Sequence, residues 1–135
     1  MPEWLEIEDI VYFQRLLVNE HGGLHGIRDK GALESTLARP QQLLHYQPDA
    51  SIYKLAASYG FGFAKNHVFN DGNKRLSLTC IDVFLQINGL QLIAEEVDAV
   101  LTIRDLAAGL LDEAGLSDWI QKNSDHLDPD STQYP

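Results

Sequence analysis

Between His67 and Arg75 the chain reads His-Val-Phe-Asn-Asp-Gly-Asn-Lys-Arg. A base, a carboxylate, a glycine, an amide and two cations stand in one short run. His67 can take a proton near neutral pH. Asp71 suits Mg²⁺, which takes carboxylate, water and phosphate oxygens. Gly72 permits a tight turn and close backbone approach to a ligand. A helix starting near Asn73 would aim its free N–H groups and positive dipole end at the loop, an anion site in outline. Lys74 adds a mobile cation and Arg75 a forked one. The set describes transfer of a phosphate-bearing group from a nucleotide to a hydroxyl. Each residue also has an ordinary reading. A lone histidine is usually hydrogen-bonded structure, Asp-Gly-Asn is a common turn with Asp71 as helix cap, and Lys-Arg is usually solvated. Together these readings strain, because two cations at a helix N-terminus oppose the dipole.

The run needs a helix on each side to hold it. Upstream, Ser51 can cap a helix whose Ile52, Leu55, Ala56, Tyr59 and Phe63 share a face and which delivers His67 at its end. Gly60 and Gly62 leave room there for a neighbouring helix. Downstream, Leu76, Cys80, Val83, Phe84 and Ile87 form a stripe that Leu78, Ile81 and Leu85 widen toward all-round burial, as in a central helix. Asn88-Gly89 stops it. Phe69 is the apolar plug that anchors the loop.

The rest of the chain reads as further helices. Ile7, Ile10, Val11, Gln14 and Leu17 recur at helical spacing, and Gly22-Gly23 ends that segment. Asp29 caps a second helix with Ala32, Leu33, Thr36 and Leu37 inside, and Pro40 marks its end or a kink before a short third helix to Gln47. Arg28 could reach the active site, but its turn-residue neighbours favour reading it as a structural hydrogen-bonding hub. Leu90–Ile93 is a short extended run. Glu95 to about Asp112 is helical, with Val97, Val100, Leu101, Leu106, Leu110 and Leu111 as its apolar set. Gly115 breaks it, and Ser117 caps a last helix. The expectation is one all-α domain over residues 1–123, of six or seven helices with a buried central one. Residues 124–135, rich in Asp, Pro, Ser and Thr, read as a flexible tail.

Composition narrows the partners. The 135 residues suit one domain, and 44% hydrophobic content suffices for one core. The net charge of −10 argues against direct nucleic-acid binding, which needs a basic face. Lys74 is one of only five lysines. Cys80, the single cysteine, reads as a small core residue of a reducing compartment. No signal peptide or membrane-length apolar run is apparent, so a cytoplasmic, membrane-free protein is expected.

The motif resembles the Fic/Doc signature H-x-F-x-[D/E]-G-N-x-R, matching at His67, Phe69, Asp71, Gly72, Asn73 and Arg75. The likeness extends over Gly22–Asp29, Leu33-Glu34, Arg39-Pro40 and Asn88-Gly89. Lys74 stands where AMP-transferring members carry glycine, and Leu78 where they carry a second arginine. Both departures look like the Doc branch, the death-on-curing toxins of toxin–antitoxin modules. The resemblance implies a Fic-type helical fold and a toxin that transfers the γ-phosphate of ATP to a Ser/Thr hydroxyl of a protein. Elongation factor Tu is the implied target, and arrested translation the outcome. His67 would be the base and Asp71 the Mg²⁺ ligand. Gly72 and Asn73 would give backbone and amide donors to phosphate, and Lys74 and Arg75 would neutralise charge. The family's target-docking flap would fall at about Tyr46–Ser51, with His45 and Tyr46 in a target groove or simply packing the loop. No inhibitory [S/T]-x-x-x-E-[G/N] motif is found, so an antitoxin acting in trans is expected. An AMP transferase on the same fold and a catalytically inactive binding module are the rivals.

Overall fold

The computed structural model describes residues 1–128. Among them the order is α1 (Ile7–His21), α2 (Lys30–Tyr46), α3 (Ile52–Lys65), α4 (Asn73–Ile87), β1 (Leu90–Leu92), α5 (Glu96–Ala107), α6 (Glu113–Lys122) and β2 (Ser124–His126). The fold is helical, with one small antiparallel pair in which Leu90 faces His126 and Leu92 faces Ser124. The strand was expected at Leu90–Ile93. Its partner falls on the first three residues of the expected flexible tail, and residues 129–135 of that tail lie outside those described.

Helices α3 and α4 form the centre. Leu55, Ala56, Tyr59 and Phe63 of α3 and Leu76, Cys80, Ile81 and Phe84 of α4 are fully buried. Helix α3 also touches α2, α5 and α6. Its small residues set these approaches. A Cβ at Gly60 would lie 2.5 Å from Ile81 Cδ1, and one at Gly62 would lie 2.5 Å from Thr36 Cγ2. Trp4 stacks on Phe84 at 6.0 Å, and Phe84 meets Tyr59 at 5.0 Å. The Leu5 N–H donates to the Tyr59 hydroxyl at 3.2 Å, which draws the N-terminal segment onto the core.

The caps at Asp29 and Ser51 are as the sequence suggests, accepting from the Ala32 and Lys54 N–H groups. Other boundaries differ. Helix α2 runs through Pro40 without stopping, so there is no separate third helix before Gln47. An internal proline costs about 3 kcal/mol. Leu43 and Leu44, beyond it, still pack on the core and hold the helix in line. At the other end of the chain, α5 stops at Ala107, and Gly109 turns with φ +81°. Helix α6 is capped by Asp112, whose Oδ1 accepts from the Gly115 N–H at 2.7 Å. Gly115 and Ser117 therefore lie inside α6 rather than breaking and capping. The inner face of α5 is Ala99, Thr102, Ile103 and Leu106, while Val97, Val100, Leu101 and Leu110 are exposed. Apolar residues line two adjacent faces of this helix, so spacing alone does not say which one is covered.

Candidate functional site

Residues 66–72 join α3 to α4, and three devices hold them. Val68 and Phe69 are buried in the core. The Asn73 side chain brackets Phe69, with its Oδ1 accepting from the Phe69 N–H at 3.0 Å and its Nδ2 donating to the Phe69 carbonyl at 2.9 Å. The α1–α2 segment lies alongside as a short ladder. Arg28 and Asp29 N–H groups both donate to the Val68 carbonyl, at 2.9 and 3.1 Å, and the Asn70 N–H donates to the Gly26 carbonyl at 3.1 Å. Asn70 Nδ2 adds a bond to the His25 carbonyl at 3.1 Å. Arg28 thus ties the turn through its backbone, and its side chain makes no hydrogen bond or ion pair among the described residues.

The expected flap at residues 46–51 is not the segment that lies beside the motif. Residues 46–51 precede α3, whereas the motif follows it. Fourteen helical residues separate the two, about 20 Å at 1.5 Å per residue. The extended segment beside the motif is residues 22–29. A groove of about 640 Å³, lined in part by Trp4, Leu44, His45 and Pro48, lies at the far end and contains no motif residue.

His67 is exposed and has a left-handed backbone at φ +48°, the one non-glycine residue in that region among those described. Such a conformation costs an L-residue about 1–2 kcal/mol. Strain of this kind gathers at functional sites. No side-chain hydrogen bond engages the imidazole among the described residues, which leaves both ring nitrogens open to a ligand.

Asp71 is not the cap of α4. That position is Gly72, left-handed at φ +80°, and no side chain caps the first turn. Asp71 instead turns back, and its Oδ2 accepts from the Leu24 N–H at 2.6 Å. Its main-chain carbonyl accepts from Gln14 Nε2 at 3.2 Å. The uncapped N–H groups of α4 are joined by Lys74 and Arg75, both exposed and outside every ion pair of the described residues. No acidic residue sits in this first turn to balance them. Partial and formal positive charge meet in this turn with no carboxylate of the turn itself to balance them.

A pocket of about 480 Å³ opens at that turn. Gly72, Asn73, Lys74, Arg75 and Leu78 form its α4 side. Glu96, Val100, Ile103 and Arg104 of α5 face them, and His21 stands at its edge. His67 and Asp71 stand on the loop that leads into α4 rather than in the pocket wall. The Asn73 amide, expected as a donor to phosphate, also spans Phe69 with one N–H and its oxygen, and so shapes the loop. Cys80 lies deeper in α4, fully buried, and burial pushes its thiol up, which keeps it protonated and inert.

The donor set suits Mg²⁺. One Asp71 oxygen is taken by Leu24, and the other has no protein partner among the described residues. No group of three His, Cys, Asp or Glu side chains converges among them. Mg²⁺ is characteristically held by one or two carboxylates with waters and substrate phosphates, not by a full protein cage.

Sequence reasoning did not reach Gln14, Gly23, Leu24 or the α5 wall as parts of this site. Gln14 carried a signal, being the polar residue in the apolar stripe of α1, and it is buried. Gly23 carried another, since one glycine is enough to stop a helix. The α5 wall carried none.

The chain is similar in sequence to known proteins. The Fic/DOC family matches residues 4–85. The chain is 29% identical over 115 residues to "Protein kinase doc" of Escherichia phage P1, covering 85% of this chain and 90% of that protein. It is 37% identical over 97 residues to "Toxin Doc" of Mycolicibacterium smegmatis, covering 70% of this chain and 72% of that protein.

Proposed function

The chain belongs to the Fic/DOC family, and from that premise we propose that it is a Doc-like toxin, transferring the γ-phosphate of ATP to a Ser or Thr hydroxyl of a protein. The observation that carries the reading is the pair Lys74 and Arg75, without ionic partners, at the uncapped start of α4. A polyphosphate supplies the charge this turn lacks. The printed name of the phage relative, a protein kinase, supports the same reading.

His67 accepts the proton as the hydroxyl oxygen attacks the γ-phosphorus. The new P–O bond forms as the bond to the β-phosphate oxygen breaks, and ADP leaves. Lys74, Arg75 and the α4 N–H groups take up charge on the phosphate oxygens. Asp71 would hold Mg²⁺, which neutralises phosphate charge when bound. Asn73 and Phe69 keep the loop in the shape that presents His67.

The choice of phosphate over AMP rests on Lys74 and Leu78. Leu78 lines the pocket where a second arginine would clamp an outer phosphate. An apolar wall cannot hold an anion there, which favours a nucleotide lying reversed, with its terminal phosphate at His67. Elongation factor Tu remains the proposed target, with arrested translation the consequence. An antitoxin in trans is the proposed partner, and the exposed Val97, Val100 and Leu101 of α5 beside the pocket support docking of an apolar helix there.

Incubation with Mg²⁺, a cell extract and ATP labelled at the α or the γ position tests the reaction. Transfer of label from γ alone is expected. Transfer from α, with the mass gain of one AMP, would replace this reading with AMP transfer. Absence of any transfer by folded protein would leave the binding module.

A further inference from the structure

Asp71 is held from outside its own loop. Gln14, on α1, fixes its carbonyl, and the Leu24 N–H fixes one carboxylate oxygen. Gly23 makes the second bond possible. It has φ +112°, and a Cβ there would lie 2.9 Å from Asp71 Cβ and 3.2 Å from Oδ2. Its neighbour Gly22 also has a positive φ, +85°, but a Cβ there would meet nothing within 4 Å. Two adjacent glycines thus share a backbone requirement, and only the second is shaped to the carboxylate.

We propose that Gln14, Gly23 and the Leu24 N–H are positioning elements for Asp71, which aim its free carboxylate oxygen at the divalent cation of a bound nucleotide. The inference rests on the Mg²⁺ role of Asp71 proposed above. Engaging one oxygen fixes the rotation of the carboxylate and presents the other oxygen to the metal. It also ties the site to the segment between α1 and α2, so that metal binding senses whether that segment is in place.

The pair of glycines supplies its own control. Gly23→Ala brings backbone strain and a clash with Asp71, whereas Gly22→Ala brings backbone strain alone. Mn²⁺ replaces Mg²⁺ as the probe, titrated with a non-hydrolysable ATP analogue into the full chain and followed by water-proton relaxation. Wild type and Gly22→Ala should bind Mn²⁺ alike. Gly23→Ala should bind about 10–100-fold more weakly, the usual loss when a group orienting a metal ligand is disturbed. Affinity for the analogue without metal should not change in either variant. If Gly23→Ala fails to fold by circular dichroism, Gln14→Met takes its place. It keeps the volume, removes the donor, and should also weaken Mn²⁺ binding. Wild-type Mn²⁺ affinity in a folded Gly23→Ala or Gln14→Met protein would overturn the inference. Asp71→Ala separates the two levels. If it binds Mn²⁺ as wild type does, the metal role of Asp71 falls and this inference falls with it. If it loses Mn²⁺ while Gly23→Ala does not, only the positioning role falls.

Discussion

Two residues of the motif trade stability against use. His67 keeps a left-handed backbone that glycine would adopt freely. His67→Ala should stay folded and lose about 10²–10⁴-fold in transfer rate, as removal of a general base does. Full activity in a folded mutant would remove the assignment. His67→Gly should lose as much activity yet gain up to about 1 kcal/mol of stability, because the strain is relieved. A denaturant melt beside wild type checks this, and a loss of stability would contradict it. Asn73 shows the opposite balance. Asn73→Ala leaves the buried Phe69 N–H and carbonyl without their bonds, so a cost of about 1–3 kcal/mol is expected. Its effect on activity should come through the loop, and should therefore be accompanied by a lower melting temperature.

At the scale of the elements, α4 opens at the site and also carries a half-buried acid. Burial pushes the Asp82 carboxyl up, while hydrogen bonds from the Gln86 side chain and the Leu92 backbone pull it back down. A raised folded-state pKa means that the folded chain holds its proton more tightly than the unfolded one. The stabilisation is full below the usual aspartate range and is lost as pH rises through the raised value. Asp82→Asn should therefore melt higher than wild type at pH 7, and its advantage should shrink on acidification. Parallel melts from pH 4 to 7 measure it, and an advantage that grows toward acid would contradict the sign. The elements show where the sequence was legible. The motif loop, its two flanking helices and the stops at Gly22 and Asn88 follow from local chemistry, because caps and glycines act within a few residues. Pro40 was misleading because contacts from distant residues hold α2 together across it. The inner face of α5 was hidden because Val97, Val100 and Leu101 are as apolar as the residues that are buried. The partner of Asp71 was hidden because it is a backbone N–H 47 positions away, which no side-chain pattern announces.

Across the whole molecule, packing around α3 sets how far the domain tolerates change. Gly60→Ala must push Ile81 aside and crowd Leu116, whose Cδ2 would lie 3.2 Å away. Gly62→Ala must displace Thr36. Each should cost about 1–3 kcal/mol, the usual penalty for overpacking. Gly89→Ala is different, since nothing lies near it, and its cost should come from its φ of +84° alone. Thermal melts of the three variants test whether space or backbone governs each position. An unchanged melting temperature for Gly60→Ala would mean that Ile81 and Leu116 can give way to α3 at no cost.

The end of α4 holds both ends of the described chain at one place. The Glu3 N–H donates to Asn88 Oδ1 at 2.8 Å, and Asn88 Nδ2 returns a bond to the Glu3 carbonyl at 3.0 Å. One residue on, the Gly89 carbonyl accepts from the Leu127 N–H at 2.9 Å. A chain whose ends meet can be rewired. A short linker from residue 128 to residue 2, with new ends opened in the exposed turn at Pro48–Asp49, would preserve these contacts while cutting a connection far from the motif. Such a circular permutant should retain the native helical spectrum and the metal and nucleotide affinities of the original order. Its linker would also accept an inserted sensor domain at the base of the very helix whose first turn carries Lys74 and Arg75.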